Sequence, residues 1–541
     1  MTKKRIAAIF ASTLICIIVI GISMYTNRDQ SRSLMGSYHR ELPAASWDGD
    51  ALQGIDEKFS VDKNFSTHLP LVIIDTAGMQ PPIYTEKRLI KGFMIYADIE
   101  GIEPYVKGSI SIISGNEKNT IGDKPVSTSQ MLIKRRGNSS MYYAKAQYLL
   151  KLITDKGEEN KVSILNMGED NEWILNGSMA DKSMIRNYLP YKTAAQIMPY
   201  TPDNEICEVV IKNGEDYTYQ GVYLIGENIK QGKDRVDIEK FKKSSRANSM
   251  LLRRDRYDEN DTILDTYATK NKLSKRYESR RYMGITYIGL LYPGKKNVTK
   301  DMIDYATDEI STIEKILYSG DFDIYSTYDR YIDVDSFVDY FLINEFFGSY
   351  DSGNFSTYMY RDVGEKLKMG PVWDFDGALD NYIHEPLEVG VMAFHIKPLF
   401  DRLVRDEAFI EKLEYRYAQL RRGVLSDENI NKSIDEIVNY IGPAQEREWA
   451  RWSEEYTKDT DLSVETYYDG EGYVYRNSLE YSGEIYNIKT NLRKHGSTIM
   501  NSLDELKGSC IWQTRWSSRA DIALLLTMLI TLVSVIYIKR I

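Results

Sequence analysis

FVDYFLINEFFGSYDSGNFSTYMYRDVGEKLKMGPVWDFDGALDN, residues 337–381, sets a helix, a polar turn and a hairpin in succession. Phe337, Val338, Phe341, Leu342 and Phe346 recur at helical spacing. Acidic residues open the run and Gly348 can close it, which predicts a helix over Asp335–Phe347. Tyr350-Asp351-Ser352-Gly353-Asn354 is a polar turn. Beyond it, Thr357–Arg361 and Leu367–Trp373 carry aromatic or apolar residues around the connection Asp362–Lys366, which contains Gly364; this is the pattern of a hairpin. Folding the hairpin back on itself brings its open ends together. Asn354 on one side is therefore expected close to Asp374 on the other.

That arrangement has chemical consequences. Asp351, Asn354, Asp374 and Asp376 would converge at one edge of a small sheet. A hard divalent cation takes oxygen ligands, commonly one or two carboxylates together with substrate phosphates and water. A further carboxylate beside it can orient a hydroxyl nucleophile and accept its proton. Asp, Asn and Gly are also what turns are made of, so local chemistry alone leaves a purely structural role open.

Other segments narrow the choice. WDFDG at 373–377 and Asp-Ser-Gly-Asn at 351–354 occur with RRGNSS at 135–140, YLLKL at 148–152, WILNGSMADKSMIRNYL at 173–189, GVYLIGENI at 221–229 and PLFDRL at 398–403. This ordered set, covering most of residues 70–440, resembles the spore coat protein H (CotH) kinase family, an atypical protein-kinase-like group. The resemblance implies an α+β, kinase-like two-lobed domain, with a sheet-rich N-terminal lobe, a helical C-terminal lobe and the cleft between them. It also implies transfer of the ATP γ-phosphoryl group to Ser or Thr of a surface or coat protein, with Mg2+ or Mn2+. Asp351 would orient the acceptor and take its proton, Asp374 and Asn354 would hold metal, and Asp376 would be a reserve ligand or a cap. Lys151 lies mid-strand between Leu150 and Leu152, facing away from both, and would hold phosphate as a kinase strand lysine does. Arg136, in the loop Arg136–Ser140, would meet nucleotide phosphate. That loop departs from the Gly-rich loop of ordinary kinases, and an ordinary hairpin is its alternative. Glu227 resembles an acidic residue at a lobe connection near an adenine ring. Arg186 reads as a structural ion-pair partner.

Composition bounds the rest. The chain has 541 residues, 27% of them charged, and a net charge of −10, which argues against nucleic acid as a general partner. Of three cysteines, Cys16 lies in an apolar run, leaving Cys207 and Cys510 as the one pair available to the body. Five histidines, none in a readable motif, give little support to histidine-based nucleophilic catalysis. Lys3-Lys4-Arg5 precedes an apolar run to Tyr25, and Ile522–Ile538 is an uncharged apolar run followed by Lys539-Arg540. Both are expected to be membrane helices, with a cleaved signal peptide as the alternative at the N-terminus. Their basic flanks place both termini in the cytoplasm and the body outside.

The expected layout is an anchor at 1–27, a linker at 28–69, the kinase-like domain at 70–450, an extension at 451–518 and a second anchor at 519–541. Strands are predicted at Leu71–Asp75, Phe93–Ala97, Ser109–Ile113, Met131–Arg135, Tyr148–Leu152, Lys161–Ile164, Glu208–Lys212 and Gly221–Glu227. Trp173–Met198 reads as a turn and a helix, with Asp181 as its N-cap. Residues 230–300 read as a basic surface. Helices are expected at Thr299–Tyr318, through Lys397–Ala450 with a break at Pro443, and at Leu492–Leu506. Two other classes fit the same residues: a non-catalytic surface binding protein on a kinase-like scaffold, and a metal-dependent phosphohydrolase.

Overall fold

The computed structural model describes residues 42–513, apart from 48, 91–92, 259, 274–285, 383–385, 389, 458–463 and 469–471, together with Met528. Its first half is sheet-rich and its second half helical, a mixed α+β fold.

Seven strands close into a barrel: β1 Leu71–Asp75, β2 Val106–Ile113, β3 Ser127–Arg135, β4 Tyr148–Ile153, β5 Glu172–Asn176, β6 Asn204–Asn213 and β7 Asp216–Glu227. Around it the order is β6-β7-β5-β4-β3-β2-β1. All neighbours are antiparallel except β6 and β1, whose parallel seam sets Glu208 against Leu71 and Lys212 against Asp75. Alternation decides what fills the barrel. Val72, Ile74, Ile110, Ile112, Met131, Ile133, Leu150, Leu152, Trp173, Val209 and Ile225 point inward and form one buried cluster, while the residues between them face out.

A second, antiparallel sheet follows, built from β8 Met250–Arg256, β9 Thr262–Ile263, β10 Thr286–Tyr292, β11 Thr357–Arg361 and β12 Lys368–Met369, in the order β9-β10-β8-β11-β12. The hairpin expected from the central stretch is β11–β12, with Met359 opposite Met369. Before it runs α3, Val334–Phe346, capped by Asp333, whose side chain accepts from the Ser336 amide. The earlier helices are α1, Tyr188–Ala194, and α2, Lys300–Leu317. The later ones are α4 Glu407–Arg421, α5 Asp427–Ile441, α6 Ala444–Thr457 and α7 Tyr481–Gly508. Gly442 and Pro443 separate α5 from α6 as expected, Gly442 at φ +49°.

The two halves share one core. Ile174, Ile206, Val222 and Leu224 from the outer wall of the barrel join Phe337, Phe341, Phe346, Ile434 and Leu492 from the helices in a continuous buried cluster. Helix α6 also stoppers the barrel. Strand β7 bulges at Gln220, where the register steps from Val209–Gly221 to Val210–Tyr219, and Glu448 fills the bulge. Its carboxylate accepts from the Val222 amide at 2.7 Å and binds the buried Lys145 ammonium at 2.6 Å. Gly221, at φ +108°, has no room for a Cβ because Glu448 Oε2 occupies that space. Beside it Arg447 grips Glu208 with two bonds of 2.7 and 2.8 Å.

Several expectations are corrected. No helix among the described residues is long and apolar enough to cross a membrane. The transmembrane helix expected at each end is therefore unsupported, and so is the extracytoplasmic placement built on the pair. The two apolar runs themselves lie outside the described residues, Met528 excepted. Cys207 and Cys510 are both buried free thiols. Lys161–Ile164 forms no strand, only a bridge between Val162 and Asp170. Glu172–Asn176 is a barrel strand rather than a turn, and the stretch read as basic surface contains β8 and β10. Helix α7 starts eleven residues before Leu492. Its Ile485, Ile488, Leu492, Ile499 and Leu503 belong to the shared core, so much of the segment read as an extension is structural.

Candidate active site

The loop after α3 turns on Gly348, at φ +60°, and delivers Asp351 beside the mouth of the β11–β12 hairpin. Asn354 and Phe355 donate their amides to the Asp351 carbonyl at 3.2 and 2.9 Å, closing the polar turn. Gly353, at φ +88°, lies so close to the Lys397 stem that a Cβ there would sit 2.5 Å from Lys397 Cβ. The Lys397 ammonium in turn donates to the Tyr350 carbonyl. The turn is thus held from both sides.

Across the mouth, Ser356 donates to Asp374 Oδ2 at 2.9 Å. Both residues sit in the left-handed region, Ser356 at φ +48° and Asp374 at φ +65°. That conformation is uncommon for a residue with a side chain and costs roughly 1 kcal/mol or more. The Asp374 amide also donates to the Tyr191 hydroxyl at 3.3 Å, and Tyr191 packs against Trp373 and Phe375. Two residues on, Asp376 accepts from Ser178 Oγ at 3.1 Å and from the Asn187 amide group, while Asn187 Oδ1 accepts from the Phe375 amide at 2.8 Å.

These carboxyls sit close enough to disturb one another. Burial pushes Asp351 up to about 6, with the Asp374 charge adding to it and the Arg256 charge opposing it. Burial, then the charges of Asp374 and Asp181, push Asp376 up to about 7. Asp374 is also raised by burial, against the Ser356 hydrogen bond and the nearby Arg136 charge. A divalent ion bound beside them would favour their ionised forms.

A second observation fits an oxygen-seeking metal. Asn354 Oδ1 is buried and accepts no hydrogen bond among the described residues, a cost usually met by a partner. Among those residues no three carboxylate, imidazole or thiolate groups converge on one metal position. An ion held by one carboxylate and one amide oxygen, as Asp374 and Asn354 would supply, keeps water and substrate phosphates as its other ligands.

The structure brings together Asp351, Asn354, Asp374, Asp376 and Arg136. Arg136 lies over the Trp373 ring at 5.4 Å and bonds Gln147 at 3.1 Å, within the electrostatic reach of Asp374. Its loop depends on Gly137, at φ +96°, where a Cβ would collide with Ser140 Oγ. Lys151 and Glu227 lie elsewhere. Lys151 faces out from the barrel, paired with Glu172 at 3.2 Å on the next strand and 5.5 Å from the Tyr105 ring centroid. Glu227 is bound by Arg235 at 2.6 Å, Tyr200 at 3.0 Å and the Asp203 amide at 3.1 Å. Arg186 makes the expected structural pair, with Asp181 at 2.9 Å and Glu484 at 3.0 Å.

Four contributors went unread in the sequence: Arg256, Ser356, Asn187 and Ser178. Arg256 ends β8, where the register sets Arg254 opposite Thr357 and so carries Arg256 alongside Phe355, its guanidinium 3.8 Å from that ring's centroid. The run MLLRRD was the available signal, three apolar residues entering a charged end.

A family model described as CotH kinase protein matches residues 133–492, more than half of the chain. The chain belongs to the CotH kinase family. The match spans the Arg136 loop, the Asp351–Asn354 turn, Asp374 and most of the N-terminal half of α7. Membership makes this a kinase-like protein and implies ATP and a divalent metal in general terms. Among curated proteins none matches the chain.

Proposed function

We propose that this CotH-family protein transfers the γ-phosphoryl group of ATP to a Ser or Thr hydroxyl of a protein acceptor. The observation that carries the reading is the Asp351 carboxylate. It lies within electrostatic reach of Asp374, Arg256 and Lys397, and burial pushes it up to about 6. A general base wants a pKa near working pH.

In this reading Asp351 accepts the acceptor's hydroxyl proton as the oxygen attacks the γ-phosphorus, and the bond from that phosphorus to the β–γ bridging oxygen breaks, releasing ADP. Asp374 and Asn354 would hold Mg2+ or Mn2+, which neutralises phosphate charge when bound. Arg136 and Arg256 face the same space and replace Lys151 as the cations for phosphate. The orientation of Asp374 is fixed by Ser356, and that of Asp376 by Asn187 and Ser178.

The test measures label transfer from γ-labelled ATP and ATP affinity on the same variants. Asp351→Asn is expected to bind ATP as wild type does and to lose transfer by about 10²–10⁴-fold, the range for a lost general base. Asp374→Asn and Arg136→Ala should weaken metal–nucleotide binding, and Lys151→Ala should do neither. Wild-type transfer by Asp351→Asn would overturn the assignment. ATP turnover that needs no acceptor would assign the site to hydrolysis instead.

A further inference from the structure

A cavity of about 660 Å3 opens between the hairpin Thr466–Tyr468/Tyr473–Tyr475 and the N-terminal half of α7. Three tyrosines line it: Tyr473 and Tyr475 from the hairpin and Tyr486 from the helix, 72, 66 and 69% exposed. Tyr473 is braced by the Tyr468 ring, centroids 5.5 Å apart. The helix adds a polar stripe of Asn487, Thr490, Asn491 and Lys494, at the spacings of three and four that place residues on one face. Ile485, Ile488 and Leu492 go into the core.

The walls are tied to each other. Asn487 Nδ2 donates to the Tyr475 carbonyl at 2.8 Å, and the Ser478 amide donates to Glu484 Oε1 at 3.1 Å. Asp380, also in the lining, accepts from the Tyr467 hydroxyl at 3.0 Å and the Leu387 amide at 2.7 Å, and pairs with Arg476 at 3.1 Å. With the hairpin edge engaged in this way, what the cavity offers a ligand is side chains.

One polar group there is unspent. Asn491 is 8% exposed and lines the cavity, and its Oδ1 accepts no hydrogen bond among the described residues. A buried polar atom normally has a partner. A turn of this amide about its last torsion presents either its acceptor or its donors to the cavity. Charge narrows the choice of ligand. Lys494 is the one cation among the described lining residues and Asp380 the one carboxylate, so the lining has no net charge to draw a phosphate. Exposed rings beside amides and hydroxyls suit a molecule whose surface alternates C–H faces with hydroxyls, since a ring takes the first and an amide both gives and accepts hydrogen bonds. From this lining we infer that the cavity is a binding site for a neutral oligosaccharide. Its volume falls within the roughly 300–1,000 Å3 of small-molecule sites. The inference uses no residue of the Asp351–Asp374 site and stands apart from the kinase reading.

The experiment uses the full chain without nucleotide, and neutral trisaccharides of glucose, mannose and N-acetylglucosamine as probes. Calorimetry reads affinity, and protection of Tyr473, Tyr475 and Tyr486 from nitration reads the place of binding. At least one probe is expected to bind and to protect all three rings. Tyr473→Ser with Tyr486→Ser removes two exposed rings, which leaves the fold intact, and should weaken that binding by about tenfold. Asn491→Leu should weaken it by a comparable factor. No protection by any probe, or equal affinity of the tyrosine variant and wild type, would overturn the inference. So would protection of the same rings by ATP or by Ser-centred peptides and not by the sugars, which would give the cavity a different occupant.

Discussion

Asp351 shows how much one side chain can report. Its carboxyl sits at about 6, above the ordinary 3.8, because burial and the Asp374 charge disfavour ionisation. A base must be ionised, so the transfer rate should climb with pH through about 6, and a pH–kcat profile flat across that point would remove Asp351 from the role. Stability runs the other way. Between the unfolded pKa near 3.8 and the folded value near 6, the folded chain binds more protons than the unfolded one, so this group's contribution falls as pH rises through that window and stays unfavourable above it. Asp351→Asn should therefore stabilise the metal-free protein at neutral pH by on the order of 1–2 kcal/mol, and by little below about pH 4. Urea midpoints at the two pH values check this, and saturating Mg2+ should shrink the difference. That Asp351 would lie near Asp374 and Asp376 was legible in the sequence, from the Asp351–Asn354 turn and the WDFDG run on either side of one hairpin. Lys151 was not, because strand alternation tells which face a side chain takes but not what that face meets once a sheet closes. Its partner turned out to be Glu172 on the neighbouring strand.

At the scale of elements, helix α3 and the β11–β12 hairpin could be read because each carries a strong local period and a clear stop. Strand β8 could not. Its charged end, Arg253 to Arg256, resembles a solvated surface in sequence. In the structure Arg254 and Asp255 are buried, and Arg253 is paired with Asp261 at 2.7 Å. Helix α6 presents the sharpest energetic test. Burial pushes the Lys145 ammonium down against the hold of Glu448. Removing the counter-charge from a buried pair of this kind costs about 3–5 kcal/mol. Glu448→Gln should lower the urea midpoint accordingly, and adding Lys145→Met should restore much of the loss. Equal midpoints for wild type and Glu448→Gln would show that the pair contributes nothing to stability.

For the whole molecule, the barrel's parallel seam and the docking of α7 onto α3 and α5 were beyond sequence patterns, since both join segments far apart in the chain; of α7 itself only Leu492–Leu506 was read as helix. Leu71 lies against Glu208, and His495 reaches the Glu345 carboxylate at 3.1 Å at the end of α3, shortly before Asp351. A chain ended at residue 450 would leave Phe346, Ile434 and the Arg186 guanidinium without Ile488, Leu492 and Glu484. Such a chain should fail to give a cooperative unfolding transition, whereas one carried to residue 513 should unfold in one step. A cooperative transition in the shorter chain would show α7 to be dispensable.

Glu448 in the bulge of β7 also bears on mechanics. A jaw that opens and shuts around ATP needs a compliant hinge between its halves. Here the helical half holds a plug in the wall of the barrel, and drawing it out would strand a carboxylate and an ammonium away from water. Any motion that parted the two halves at this point would therefore have to break a buried ion pair first.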